Sequence, residues 1–324
     1  MEPLKQYKDL IESGLQKLEI PASPAELYEP IRYMLSLGGK RLRPSLVLMG
    51  CDLFGGDINL ALPAALGIEV FHNFTLLHDD IMDKAPLRRS HPTVHAKWNS
   101  GVAILSGDAM FVKSCQLMMQ TEEKHFRAVM DLFLQTALEV CEGQQLDMNY
   151  EQAENVSIEE YLRMIRLKTA VLLGCALETG AIIAGATAKE ANTIREVGNN
   201  LGIAFQLHDD LLDVYGHAEK FGKQPGGDLL SNKKTFLLLT ALADADASER
   251  KELNHWLSEK NPDPKSKIEA MQQIFSQLNI REKTDQKTNS FFRKAMDLLD
   301  HVTIPLPKKE SLQQLADALM VREH

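Results

Sequence analysis

Residues 186–216 read ATAKEANTIREVGNNLGIAFQLHDDLLDVYG, and this stretch decides the fold class. Its apolar residues recur at spacings of three and four, the period of a helix that buries one side. The same pattern recurs on both sides of it. Between Pro92 and Pro225 the chain runs 132 residues without a proline, and since a proline inside a helix costs ~3 kcal/mol, that absence permits several long helices in succession. No run shows the sustained apolar/polar alternation of a strand. The chain therefore reads as all-α. Two segments, 62–83 and 201–215, are apolar almost all round, which places them at the centre of a large bundle. Breaks are expected at Pro21–Pro24, Gly38-Gly39, Gly55-Gly56, Pro86–Pro92, Asn99–Gly101, Gly222–Gly227 and Pro262–Pro264. None is long enough for a domain linker, so residues 1–324 are expected to form one domain. Its final part, from about residue 244, is more polar and reads as amphipathic helices packed on one side.

The composition is that of a globular protein: of 324 residues 44% are apolar and 25% charged, a balance neither disordered nor fibrous. With 36 Lys and Arg against 45 Asp and Glu the formal net charge is −9. That argues against a general nucleic-acid binder, which needs a basic surface to displace counterions. The four cysteines, Cys51, Cys115, Cys141 and Cys175, lie far apart in no metal-binding spacing and read as buried thiols in a reducing compartment. The first residues, MEPLKQYKDLIESG, lack the basic and apolar regions of a signal peptide. The most apolar stretch, 171–186, contains Glu178 and falls short of the ~20 residues of a membrane span, so it reads as a core helix. A cytoplasmic protein with no membrane span is expected.

Residues 77–83 read LHDDIMD and residues 207–213 read LHDDLLD. Each is a DDxxD cassette on an apolar helix. At 100° per residue Asp79 stands over Asp83 with Asp80 on the flank, and Asp209, Asp213 and Asp210 repeat the arrangement. Alone, the arrangement is unfavourable. Like charges at i,i+4 repel, and breaker residues (Pro86, Gly216) follow each cassette, placing the acids near a helix C-terminus, the wrong end of the macrodipole. One such cassette could be a solvated helix end. Two copies on apolar helices point instead to a hard divalent cation, since Mg2+ takes oxygen ligands, keeps several waters and is completed by substrate phosphates.

Basic residues recur beside the acids. Gly38–Pro44, GGKRLRP, puts three cations on a short turn whose glycines let the backbone approach an anion. Arg88-Arg89 follow the first cassette; Lys223 and Lys233-Lys234 follow the second. Acid for metal and base for phosphate make a diphosphate site. His72 lies seven residues before Asp79, close to the same helix face. His78 and His208 sit next to the aspartates as supporting partners. No histidine falls in a zinc-binding pattern.

These motifs resemble the trans-isoprenyl diphosphate synthases, the polyprenyl synthetase family. GGKRLRP, DDIMD with two arginines after it, GxxFQxxDDxxD (Gly202, Phe205, Gln206, Asp209, Asp210, Asp213) and the later GK…D…KxT occur in the family's order. They cover roughly residues 30–240; the helices after about 244 add little. One departure is Ser90, where many members carry glycine.

The resemblance implies a helical bundle of the isoprenoid synthase type, with the two cassettes facing each other across the mouth of a deep central cavity. It implies three Mg2+ ions on the allylic diphosphate, held by Asp79, Asp83 and Asp209 with Asp228 completing the third, and Asp80, Asp210 and Asp213 as supporting ligands. Lys40, Arg43, His72 and Arg89 would bind isopentenyl diphosphate. Arg88, Lys168, Lys223 and Lys233 would hold the allylic diphosphate (dimethylallyl, geranyl or farnesyl), with Thr169 and Gln206 near the reacting carbons. GQQLD, Gly143–Asp147, matches a helix motif lining the cavity. A homodimer is expected from the family alone.

The chemistry such a site supports is ionisation of the allylic C–O bond, attack on the carbocation by the double bond of isopentenyl diphosphate, and proton loss to the departing diphosphate. No serine or cysteine nucleophile is required. In the family a bulky residue five positions before the first aspartate forms the cavity floor. Phe74 holds that position, with the small Thr75 beside it and Phe71 three residues further back. At 1.5 Å per residue Thr75, Phe74 and Phe71 lie ~6, ~7.5 and ~12 Å along the helix from Asp79, so a product of fifteen to twenty carbons is expected. If Phe74 is only a core aromatic, Phe71 is the stop. A class I terpene cyclase shares the ionisation step but replaces the second DDxxD and needs no second diphosphate pocket. A non-catalytic partner subunit loses motif residues, and none is lost here.

Overall fold

The computed structural model describes residues 2–216 and 226–320. Among them the chain is helical apart from one hairpin of two-residue strands. It divides into two compact units, each drawn from three separate segments: residues 1–135, 175–195 and 302–314 in unit 1, and residues 136–174, 196–301 and 315 onward in unit 2. Three long helices contribute residues to both: α7 (Glu123–Gln152), α9 (Val171–Ile183) and α10 (Ala188–Tyr215).

Unit 1 is built on α4 (Ile58–Met82), which packs on α3 (Leu42–Leu53) and α6 (Ser100–Met118). Polar residues at the expected breaks start these helices. Asp57 accepts the N–H of Asn59 at the head of α4, and Asn99 accepts the N–H of Val102 at the head of α6, each satisfying an otherwise orphaned donor. α1 (Glu2–Gln16) leans on α3 and α4, and α2 (Ala25–Ser36) on α6 and α4. By length and composition α4 could cross a membrane (mean hydropathy 1.4 in its most apolar window), but 61% of that window is buried inside the protein. Its apolar surface faces helices. The break at Pro86–Pro92 holds the hairpin, Leu87–Arg88 paired antiparallel with His91–Pro92. Arg89 and Ser90, with φ of 51° and 64°, make its turn. Two left-handed residues in succession suit a tight hairpin and favour glycine, which gives a physical sense to the family's glycine where this chain has Ser90. The short helix α5 (Val94–Lys97) follows.

Unit 2 begins its motif-bearing part at α8 (Ile158–Ile165), opened by a reciprocal cap between Ser157 and Glu160. α8 runs into a π turn, Arg166–Ala170, and then into α9. The C-terminal helices are α11 (Gly227–Leu230), α12 (Phe236–Asp244), α13 (Ala247–Ser258), α14 (Pro264–Gln277), α15 (Ile280–Asp300) and α16 (Leu306–Met320). α15 buries Ile280, Thr284, Thr288, Ala295 and Leu299, one face of a helix, as the amphipathic reading expects. One core cluster joins Leu211 and Val214 of α10 to Leu229, Leu237, Leu253, Met271 and Phe275. A second joins Tyr161, Met164, Ile203, Leu207 and Phe236. The cysteine reading needs correction in part: none of the four is in a disulfide, Cys51 and Cys175 are buried, but Cys115 is half-buried and Cys141 is exposed on α7.

Candidate active site

α4 ends at Met82 with Asp83 as its C-cap, so the first cassette stands on the last turn, where the breaker residues placed it. Asp79 is half-buried, Asp83 exposed and Asp80 buried. Arg88, from the hairpin, grips Asp80 as a fork. Its Nε lies 2.9 Å from Oδ1 and 2.8 Å from Oδ2, and its Nη2 lies 2.8 Å from Oδ1. Asp79 Oδ2 is 3.9 Å from the same guanidinium. Bidentate Arg–carboxylate pairing is strong and directional. Both oxygens of Asp80 therefore face a protein cation, beside the supporting ligand role expected of it. Arg88, expected on the allylic diphosphate, has the orientation of Asp80 as its immediate task.

Gly38 and Gly39 have φ of 73° and 146°. A side chain on Gly39 would stand 2.9 Å from Nη2 of Arg89, whose guanidinium donates to the Gly38 carbonyl. The glycine pair thus seats Arg89 against the basic turn. Lys40 is exposed on that turn. Arg43 Nη1 lies 3.1 Å from His72 Nε2, and because a guanidinium only donates, Nε2 accepts and the ring proton resides on Nδ1. Burial, then the positive charges of Arg43, Arg89, Arg88 and Arg41, hold His72 well below its ordinary pKa, in the neutral form. Arg43, His72 and Arg89, expected together, are together.

Arg41 is the exception on this turn. It sits at φ 50° and is 3% exposed. Its Nη1 lies 2.6 Å from Glu69 Oε1, its Nε 2.8 Å from Glu12 Oε1, and its Nη2 3.1 Å from the Leu35 carbonyl. The turn leaves Lys40 exposed and Arg43 half-buried and turns Arg41 inward. Glu69, a carboxylate inside an otherwise apolar helix, was the signal for this pair.

The second cassette occupies the end of α10. Asp209 and Asp213 are half-buried and Asp210 is buried. Asp210 repeats the place of Asp80. Its Oδ1 accepts from Gln206 Nε2 at 2.9 Å and its Oδ2 accepts the Tyr161 hydroxyl. Burial pushes its carboxyl up to about 7, against the pull of Lys233. Asp210, expected as a supporting ligand, thus has its two oxygens engaged by Gln206 and Tyr161. Asp213 Oδ2 accepts the backbone N–H of Asp228 at 2.8 Å, so it ties the start of α11 to the cassette, a structural duty beside the supporting ligand role expected of it. Lys233 donates its backbone N–H to the Asp228 carbonyl at 2.9 Å.

Lys168 and Thr169 lie on the π turn, a distortion that frequently marks functional sites. A side chain on Gly143 of α7 would stand 2.2 Å from Lys168 N, so the GQQLD glycine admits the π turn to α7. Asp147 of the same motif takes Lys168 Nζ at 2.5 Å. Thr169 Oγ1 donates to Gln206 Oε1 at 3.2 Å, completing a chain from Thr169 through Gln206 and Asp210 to Tyr161. The Asp147 pairing and Tyr161 were missed in the sequence; Tyr161 carries no signal there beyond an ordinary core aromatic. Lys223 lies outside the described residues.

Phe74 is half-buried, its ring 5.6 Å from those of both Phe71 and Phe111 and 4.8 Å from His78. Phe71 is 1% exposed and sits 5.2 Å from Phe133. Phe111 of α6 and Phe133 of α7 thus extend the aromatic pair read from α4, and sequence spacing had no means of finding them. Thr75 Oγ1 donates to the His72 carbonyl at 2.8 Å. His78 lies 3.2 Å from the Ile104 carbonyl on α6, a packing contact.

Among the described residues no three His, Cys, Asp or Glu side chains stand together as a ready metal cage. In each cassette the inner aspartate is tied to the protein while Asp79, Asp83 and Asp209 remain at least partly exposed, so hard oxygen donors are presented by both.

Residues 24–275 match the polyprenyl synthetase family. A geranylgeranyl diphosphate synthase of Methanosarcina mazei is 33% identical, over the whole of this chain and 98% of the relative. Among solved structures, a geranylgeranyl pyrophosphate synthase superposes with a TM-score of 0.95 at 43% identity, covering 99% of both chains. A decaprenyl diphosphate synthase from Rhodobacter capsulatus superposes with a TM-score of 0.89 at 30% identity, covering 100% of this chain and 98% of that one. The motifs, the helical fold and these likenesses agree: the chain belongs to the polyprenyl synthetase family and is a prenyltransferase, a trans-isoprenyl diphosphate synthase.

Proposed function

We propose that the protein condenses isopentenyl diphosphate head-to-tail with an allylic diphosphate (dimethylallyl, geranyl or farnesyl), in a Mg2+-dependent reaction, to a trans product of fifteen to twenty carbons. The observation that carries this is the repeated cassette, with its inner aspartate locked and its outer ones presented beside cations. Bound Mg2+, three ions by family resemblance, neutralises the diphosphate and makes it a leaving group. Asp79, Asp83, Asp209 and Asp228 are the ligands we assign, with Asp80, Asp210 and Asp213 positioning them. Lys168 and Lys233, with Lys223 by resemblance, hold the allylic diphosphate. Lys40, Arg43, His72 and Arg89 hold isopentenyl diphosphate, neutral His72 fixing the Arg43 guanidinium. Thr169 and Gln206 orient the reacting end through the chain that leads to Asp210. Phe74 forms the floor for the growing chain, backed by Phe71.

Residues 1–324 work as one domain, which the interleaving of chain segments in the two units supports. Homodimerisation finds support in an apolar stripe along α6 and its C-cap, where Leu105, Val112 and Met119 are 62%, 57% and 58% exposed. Four cysteines outside any disulfide support a reducing, cytoplasmic location. The test is incubation of the purified protein with isopentenyl diphosphate, each allylic diphosphate and Mg2+. Linear fifteen- or twenty-carbon alcohols after dephosphorylation are expected, and none with chelator. A cyclic hydrocarbon would show a cyclase, and no product a non-catalytic subunit.

A further inference from the structure

Lys267, in the first turn of α14, is 1% exposed, rare for a lysine. Its ammonium donates to Asn232 Oδ1 at 2.6 Å and to the Leu230 carbonyl at 3.4 Å. Both acceptors are neutral, and among the described residues it pairs with no carboxylate. Burial pushes its pKa down accordingly. A buried cation without a counter-charge is costly, so its two acceptors explain where it acts.

They are the far end of α11. Leu230 is the last residue of that helix, and its carbonyl is one of the groups a helix end leaves without an internal partner. Asn232 stands in the left-handed region, at φ 56°, and its Nδ2 donates to the Leu257 carbonyl at 3.0 Å. The near end of α11 is held by the second cassette: Asp213 accepts the Asp228 N–H through its carboxylate and the Gly226 N–H, at 2.6 Å, through its carbonyl. α14 also reaches this near end. Ile268 packs over Gly226, and Gln272 donates to the Val214 carbonyl at 2.6 Å, one residue beyond Asp213. Asp228 lies in the segment whose ends these grips hold, and Lys233 follows directly on Asn232, its N–H on the Asp228 carbonyl at 2.9 Å.

We propose that Lys267 is a positioning residue for the allylic diphosphate site: its ammonium pins residues 230–232 and thereby sets Asp228 and Lys233 relative to the second cassette. The inference rests on the assignment above of Asp228 to Mg2+ and Lys233 to the allylic diphosphate. Lys267 itself touches no reacting atom. Helix α14, beyond the motifs read from the sequence, thus serves the site.

Lys267→Met removes the ammonium and keeps an unbranched apolar stem of nearly the same length. Outer-sphere partners of metal sites are worth about 10–100-fold, so the allylic KM and the Mg2+ concentration for half-maximal rate should each rise about tenfold, with the KM for isopentenyl diphosphate within about twofold. Amide hydrogen exchange without ligands should quicken across residues 228–235 and stay unchanged in α4. Asn232→Gly, which keeps the left-handed backbone, should move the same quantities less, and the double variant should show less than the sum of the two effects, since they share one contact. Unchanged allylic KM, Mg2+ requirement and exchange in a folded Lys267→Met variant would overturn the proposal. So would an equal rise in both KM values with faster exchange throughout, the mark of general loosening. If Lys267→Met does not fold, Asn232→Gly carries the same two outcomes. Lack of condensation by the unaltered protein would instead refute the functional assignment, leaving the exchange measurement to judge Lys267 alone.

Discussion

Arg41→Met removes one cation from the Gly38–Pro44 turn, and its surroundings determine the kind of loss. The guanidinium pairs with Glu69 and Glu12, whose side chains are 3% and 35% exposed. Glu12 can recover water when the arginine goes; Glu69 cannot. Removing one partner of a buried pair costs about 3–5 kcal/mol because the other charge is stranded. Here the lower end applies, since Asn73 Nδ2 still donates to Glu69 Oε1 at 3.1 Å. At roughly 2 °C per kcal/mol for a large chain, a loss of ~3 kcal/mol lowers the melting midpoint by about 6 °C. Adding Glu69→Met should restore at least half of that, because a well-packed apolar pair replaces a buried ion pair at little cost. Arg43→Met, two residues away, should behave in the opposite sense. Its KM for isopentenyl diphosphate should rise tenfold or more, the worth of a charge-assisted bond of ~1.5–3 kcal/mol, with the allylic KM and the melting midpoint little changed. The assay is thermal melting by circular dichroism beside steady-state kinetics with each diphosphate varied in turn. An Arg41→Met variant that melts within about 2 °C of the parent, or loses affinity for isopentenyl diphosphate as Arg43→Met does, would refute the distinction between the two arginines.

Asp79→Ala and Asp209→Ala should each lower turnover by orders of magnitude while melting holds, since each removes a carboxylate from a repulsive cluster; near-normal turnover in either folded variant would sink the metal assignment. Phe74→Ala should lengthen the products, as read by chromatography of the dephosphorylated alcohols, and an unchanged distribution would pass the role to Phe71. Gly143→Ala places a methyl 2.2 Å from Lys168 N, so it should displace the π turn and lower both stability and turnover; a variant normal in both would show that α7 and the π turn separate freely.

The sequence by itself determined the helical class, both cassettes, the basic turn and the family. Those features are local: a 3.6-residue period, a proline-free span and carboxylates four residues apart are visible along one strand of text. It also placed each cassette at a helix C-terminus, because the breakers after Asp83 and Asp213 are sequence neighbours. What it could not decide was which members of each motif face inward. Asp79 and Asp80 are adjacent letters, yet one is half-buried and the other is gripped by Arg88 from a hairpin eight residues on. Asp210 is bound by Tyr161, 49 residues away, and Arg41 by Glu69, 28 residues away. Lys267 reads as a surface charge on a polar helix until the fold buries it against Leu230 and Asn232. Burial and pairing arise between segments distant along the chain, and they alone divide like residues in one motif into those buried in the protein and those left at its surface.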